Sequence, residues 1–279
     1  MSDWDGVGQV PREQLIEARQ QAHHGVQWLA RVARNFIPRK NDDSHTALHW
    51  NNEHDALMLS AIQGGAHPFQ LGLRLPDLSL IVVTDKLLSP VPLLGRKERQ
   101  VESLLSATLL ELGMDRDESI NFRRLPYALP DHDIASGGTY GDNLEEAALE
   151  ELTAWYRHAN GLLDQVKNSE PEAGPIRCWP HHFDIATLMM LDEGEGKAPH
   201  SIGVGLSPGD EHYDLPYLYV TPWPYPDKGD HPTLKEGGHW HTVGFTAAVL
   251  NADKIADGAD PHDFTDHAIQ LCRDLLDYS

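Results

Sequence analysis

Residues 201–221 constrain the fold most tightly, because their side chains change in kind with a period of two. Ser201, Gly203, Gly205 and Ser207 interleave with Ile202, Val204 and Leu206, and Tyr217, Tyr219 and Thr221 interleave with Leu218 and Val220. In a strand, successive side chains point to opposite faces. Each strand therefore has one apolar face and one that is bare or hydroxyl-bearing, the pattern of antiparallel strands lying on a core. A different period marks the helix expected over 12–37, where Leu15, Ala18, Ala22, Val26, Leu29, Ala33 and Phe36 form one stripe between Pro11 and Pro38. His24, Gln27 and Arg31 fall off that stripe and are expected on a solvated face.

The rest of the chain is punctuated in the same terms. Strands are expected at 56–62, 69–75 and 78–84, the last two joined by a turn at Pro76-Asp77, followed by a helix over 98–112 that ends at Gly113. A helix over 143–167 then leads to strands at 176–191, 200–206, 216–222 and 239–250 and a last helix at 262–277. The order of the first half recurs in the second. Leu71-Gly72-Leu73-Arg74-Leu75 parallels Ile202-Gly203-Val204-Gly205-Leu206, and Gln27-Trp28 parallels Ala154-Trp155. The expected class is α+β, antiparallel β-sheets flanked by helices, with internal duplication of a helix-strands-helix unit. It divides into an N-terminal half (1–114), a linker rich in Pro, Gly and Asp (115–142), and a C-terminal half (143–279) that carries the candidate site.

Composition excludes several function classes. With 22 Lys and Arg against 43 Asp and Glu, the 279-residue chain has a net charge of -21. Such a surface repels polyanions, so neither nucleic acid nor an anionic membrane is an expected partner. No apolar run approaches the roughly 20 residues that span a bilayer, and the start shows no signal-peptide pattern. A cytoplasmic location is expected. Two cysteines, Cys178 and Cys272, provide neither a disulfide framework nor a Cys-based zinc site.

Two familiar motifs fail on chemistry. Gly205-Leu206-Ser207-Pro208-Gly209 has the spacing of a nucleophile elbow, but the residue after the serine must supply an N–H and Pro208 has none. Pro208-Gly209 reads instead as the centre of a type II turn. Gly203-Val204-Gly205 opens no helix, so it is not a dinucleotide loop.

The histidines offer a candidate metal centre. His239-Trp240-His241 places two imidazoles on one face of a strand, although 17 histidines in 279 residues give roughly one such triplet by chance. In a strand through 177–188, Arg177, Trp179, His181 and Phe183 share one side and His182 and Asp184 the other. His181, His239 and His241 are thus candidate ligands for a divalent transition metal, zinc or similar, with a fourth position open. Separate histidines, each satisfied by backbone or water, are the competing reading. On the opposite side, the strip at Gly203 and Gly205 beside Tyr217 and Tyr219 forms a candidate ligand groove, with His182 and Asp184 as an acid/base pair. The glycines alternatively admit a large neighbour. Arg177, Trp179, Glu211 and Trp223 complete the candidate ligand-binding set, Trp223 within the stiff segment Pro222-Trp223-Pro224-Tyr225-Pro226.

Several long motifs resemble those of an uncharacterised bacterial family of hypothetical proteins. They are Arg177-Cys178-Trp179-Pro180-His181-His182-Phe183-Asp184, the run from Ser201 to Glu211, Pro222 to Pro226, Gly238-His239-Trp240-His241 and the run Gly244 to Leu250. The N-terminal blocks His23-His24, Gln27 to Arg31 and Asp42 to Thr46 extend the likeness over most of the chain. The resemblance implies kinship and carries no activity, cofactor or catalytic residue. Three functions stand side by side: a metal-dependent enzyme acting on a small polar molecule, a non-catalytic small-ligand-binding module, and a protein-interaction protein that docks a partner through its aromatic segment.

Overall fold

Helix α1 (Arg12–Phe36) begins immediately after Pro11, and its Leu15, Ala18, Ala22, Val26, Leu29 and Ala33 stripe is buried. The structure is a computed structural model that describes residues 4–65, 67–85, 90–114, 122, 124–192, 199–226 and 231–278. It is α+β, with five α-helices and eleven strands among these residues, and every recorded strand pair is antiparallel.

The described residues form two units. The N-terminal unit comprises Val10–Thr153 and Cys178–Phe183; the C-terminal unit comprises residues 4–9, 154–177 and 184–278. In the N-terminal unit, β1 (Leu48–Asn51), β2 (Ala56–Leu59), β3 (Gln70–Arg74), β4 (Ser79–Val83) and β5 (Val91–Pro92) form a meander followed by α2 (Glu98–Glu111). The Pro76-Asp77 turn lies between β3 and β4, as expected. Its Asp77 carboxylate accepts from both Arg74 and the Ser79 hydroxyl.

Helix α1 departs from the simple amphipathic expectation. His24 and Gln27 are buried rather than solvated. Their polar atoms are satisfied inside the unit, which makes this burial affordable. Gln27 Nε2 donates to the carbonyls of His23 and Pro180, its Oε1 accepts from Tyr127, and His24 Nε2 donates to Pro130 O. The described part of the expected linker therefore packs onto α1 within the N-terminal unit, whereas residues 115–121 and 123 lie outside the described residues.

The chain passes from one unit to the other within α3 (Glu146–Ser169). It then forms β6 (Arg177–Trp179), whose Cys178 pairs with Leu48 of β1. The strand expected over 176–191 is broken at 180–183, where Phe183 has φ 60°. The C-terminal unit contains β7 (Asp184–Met190), β8 (Ser201–Ser207), β9 (Tyr217–Trp223), β10 (His239–His241), β11 (Ala247–Asn251), α4 (Ala252–Ala256) and α5 (Pro261–Leu275). Asp260 caps α5 by accepting from the N–H groups of His262 and Asp263, with Pro261 at the first helical position. The strand order here is β7-β8-β9-β11-β10, because β11 pairs with both β9 and β10. The order β1-β2-β3-β4-β5 is thus not repeated here, and the expected internal duplication is not confirmed.

One face of the C-terminal sheet is a core. Ile185, Met189, Ile202, Val204, Leu206, Leu218, Val220, Ala248 and Leu250 are buried on it. Helix α5 packs against β8, β9 and β11, contributing buried Phe264, Ala268, Ile269 and Cys272.

Candidate functional site

The opposite face of this sheet gathers most of the chemistry. Residues paired directly across antiparallel strands share a face, so the registers Ala186↔Gly205, Gly205↔Tyr219, Tyr219↔Val249 and Val249↔His239 define one continuous row. Next to it run Leu188, Gly203 and Thr221, with His241 opposite Ala247. Asp184, Tyr217, Tyr219, His239 and His241 are therefore on the same side, and these registered rows contain no lysine or arginine.

The glycine strip is occupied. A Cβ at Gly205 would lie 2.6 Å from the Tyr219 hydroxyl and 2.7 Å from Ala186 Cβ, and one at Gly203 would lie 2.9 Å from a Thr221 methyl. The glycines admit large neighbours, and those neighbours are the tyrosine and threonine of β9. What lines the face is hydroxyl groups rather than an empty groove.

Each phenol is held by a partner. Tyr219 donates to Asp184 Oδ2 and Tyr217 to Asp210 Oδ2, both at 2.6 Å. Burial, reinforced by the hydrogen bond to and charge of Asp210, drives the pKa of Tyr217 far above the usual phenol value. The other oxygen of Asp210 accepts from the N–H groups of His212 and Tyr213, and this Asx turn fixes the start of the 210–213 loop. The loop delivers Tyr213 to β10, where its hydroxyl lies 2.9 Å from His239 Nε2 and 3.0 Å from His241 Nδ1.

The polarity of this bridge follows from its neighbours. His241 Nε2 lies 2.7 Å from the carbonyl of Val243, which can only accept, so Nε2 carries a proton. With both rings neutral, His241 Nδ1 then accepts from Tyr213 and His239 Nε2 donates to the phenol oxygen. The result is a directed chain from His239 through Tyr213 and His241 to the backbone. His241 is held between Phe245, stacked at 4.3 Å, and His212, edge-on at 4.9 Å. Burial, then the neighbouring His241, lowers the pKa of His239, whereas burial and Asp210 raise that of Tyr213.

The remaining expected site residues are distributed differently. His181 lies in the 180–183 turn of the N-terminal unit, with ring centroids 4.3 Å from His182, 5.6 Å from Tyr127 and 5.9 Å from Trp179. Its pKa is lowered by burial first and by His182 second. His239 and His241 belong to the C-terminal unit, and their converging nitrogens meet one phenol oxygen. Among the described residues no group of three or more His, Cys, Asp or Glu side chains is placed to hold a metal ion. Of the three expected ligands, His239 and His241 share the Tyr213 hydroxyl within the C-terminal unit. His182 is exposed in the turn, and the break at Phe183 ends the strand alternation that had coupled it to Asp184.

Arg177 and Trp179 lie half-buried on β6, and Glu211 is exposed beside His212 at 3.8 Å. Trp223 ends β9, half exposed, with Tyr225 edge-on at 5.0 Å. Ser207 is followed by Gly209 at φ 115° and then by a strand, so the elbow-like motif is a turn. Sequence reasoning missed Tyr213 altogether. Its only local signal was the Asp210 carboxylate three residues earlier, which organises the loop. No membrane-crossing helix occurs among the described residues. Comparison with protein families, curated proteins and solved structures finds no match.

Proposed function

We propose that the hydroxyl-lined face of β7, β8, β9, β11 and β10 binds a small, uncharged polar molecule and that Tyr213 hydrogen-bonds to it. The observation that carries this reading is the Tyr213 hydroxyl bridged by His239 and His241. In the bridge the phenol keeps its proton and gives it to His241, so what the Tyr213 oxygen offers a ligand is a lone pair. Asp184 and Asp210 hold the neighbouring phenols as oriented partners for ligand oxygens. The absence of basic residues from the registered rows disfavours an anion.

A panel of sugars, polyols, aldehydes and ketones, screened through the ring resonances of His239 and His241, tests the reading. A binder should shift both rings in the wild type and bind at least about tenfold more weakly to Tyr213→Phe, the worth of one lost hydrogen bond. Absence of any shift across the panel, or equal binding by the variant, would refute it. One further observation favours partner docking: Leu188, Met190 and Trp223 are each nearly half exposed on this same face. In that case a protein partner, and no small molecule, would protect them from solvent.

A further inference from the structure

Strand β10 brings two imidazoles to one point from alternate positions. His239 reaches it with Nε2 and His241 with Nδ1, and these nitrogens lie 2.9 and 3.0 Å from the same atom, the Tyr213 phenol oxygen. Imidazole and phenolate are both ligands of first-row transition metals. With metal–donor bonds of about 2.05 Å, donors at a right angle stand about 2.9 Å apart, and donors at the tetrahedral angle about 3.3 Å apart. The phenol oxygen therefore has right-angled spacing to each nitrogen, the spacing of a tetragonal copper(II) ion with nitrogen and oxygen ligands rather than of tetrahedral zinc.

The surroundings suit His241 to this role. Its Nε2–H donates to the Val243 carbonyl, which leaves Nδ1 bare and sets the ring's orientation, as an outer backbone carbonyl does for a metal-bound histidine. Phe245 and His212 hold the ring between them. The Asp210 carboxylate starts the loop that carries Tyr213, and the registered rows bear no lysine or arginine, so the local charge favours a cation. No third His, Cys, Asp or Glu joins the pair among the described residues, and the phenol supplies the third ligand instead. We propose that His239 Nε2, His241 Nδ1 and the Tyr213 phenolate form a copper(II) site, its remaining positions taken by water or by an oxygen of a small molecule on the same face. Binding balances with one proton lost to solvent, that of the Tyr213 hydroxyl, as the copper–oxygen bond forms. The proton on His239 Nε2 moves to Nδ1 of the same ring.

Titration of the metal-free, untagged full chain with copper(II) at neutral pH tests the proposal. The tightest equivalent should release about one proton and develop a visible phenolate-to-copper charge-transfer band. Tyr213→Phe should lose both the band and the proton release and bind copper at least about tenfold more weakly, the loss that even an outer partner of a metal ligand produces. His241→Ala should weaken binding in the same way. His200→Ala removes an imidazole that Asp192 holds elsewhere in the unit and should leave the band unchanged. If Tyr213→Phe loses its folded thermal transition, the band and proton count of the wild type carry the test. Copper bound without the band, or a band and proton release that persist in folded Tyr213→Phe, would overturn the proposal and leave only the adventitious affinity of a His-x-His pair. The titration contains no small molecule, so its failure leaves the small-molecule reading of this face standing, and an inert ligand panel leaves the copper result unaffected.

Discussion

At the scale of single residues, Tyr213 has one proton and two imidazole neighbours, so its removal must leave each ring nitrogen to find another partner. Tyr213→Phe should cost about 1 kcal/mol, since the bridge is half exposed and water replaces much of it. Nitrogen shifts should show His239 losing its fixed Nε2–H tautomer; unchanged tautomers would dismiss the directed chain. His23 makes a different prediction. Buried against Phe183 and donating to Pro180 O, it has its pKa lowered from 6.5 to about 3 by desolvation. The unfolded chain takes up this proton first as pH falls, so the unfolded state binds more protons throughout that interval. Stability is full above about 6.5 and should fall as pH falls toward about 3, with a limiting slope of about 1.4 kcal/mol per unit. His23→Gln, which keeps a donor but does not titrate, should flatten the dependence of the urea midpoint on pH across this window; an unaltered slope would reject the assignment. Burial lowers His24, His45, His49, His181 and His239 in the same direction, so the flattening should be partial. Neither residue was legible beforehand. Tyr213 lies in a loop with no period to read, and His23 is buried through partners more than 100 positions away in sequence.

At the scale of elements, β8 and β9 behave as one interlocked pair. The Tyr219 ring occupies the space left by Gly205, whereas only a methyl of Thr221 covers Gly203. Gly205→Ala must push the phenol away and strain its bond to Asp184, at a cost of about 1–3 kcal/mol for an overpacked site. Gly203→Ala should cost less, because Thr221 can turn at the expense of its hydroxyl bond to Thr246 O. Equal urea-unfolding costs for the two variants would contradict this ranking. The two-residue period made these faces readable, and β8 and β9 fall within one residue of the spans expected at 200–206 and 216–222. It failed where the backbone interrupts the alternation. Phe183 at φ 60° divides β6 from β7, and Gly244 at φ 85° lies in the segment between β10 and β11. The insertion of β11 between β9 and β10 is a non-local pairing that no local pattern encodes. Burial of His24 and Gln27 on α1 was hidden for the same reason, since the carbonyls that satisfy them come from Pro130 and Pro180.

At the scale of the whole molecule, a net charge of -21 sets like-charge repulsion against the small number of ion pairs recorded among the described residues. Arg31–Glu98 and Arg273–Glu170 are partly exposed pairs, each worth about 0–1 kcal/mol and weakened by salt, and Lys235–Asp263 is more exposed still. The excess of 43 acidic over 22 basic side chains acts across the whole surface, and compactness makes it worse. Raising the ionic strength from about 0.01 to about 0.15 M shortens the screening length from about 30 to about 8 Å, which quiets long-range repulsion more than contacts of a few ångströms. Sodium chloride should therefore raise the urea midpoint at neutral pH. Mild acid should not substitute for salt, although it too reduces net negative charge. The buried histidines begin to penalise the folded state below about 6.5, well before most carboxylates, with ordinary values near 4, take up protons. The two perturbations should move the midpoint in opposite directions, with His23→Gln narrowing the difference. A midpoint that falls on adding salt, or rises on the first unit of acidification, would mean that local ion pairs rather than global repulsion and histidine burial govern the stability of this chain.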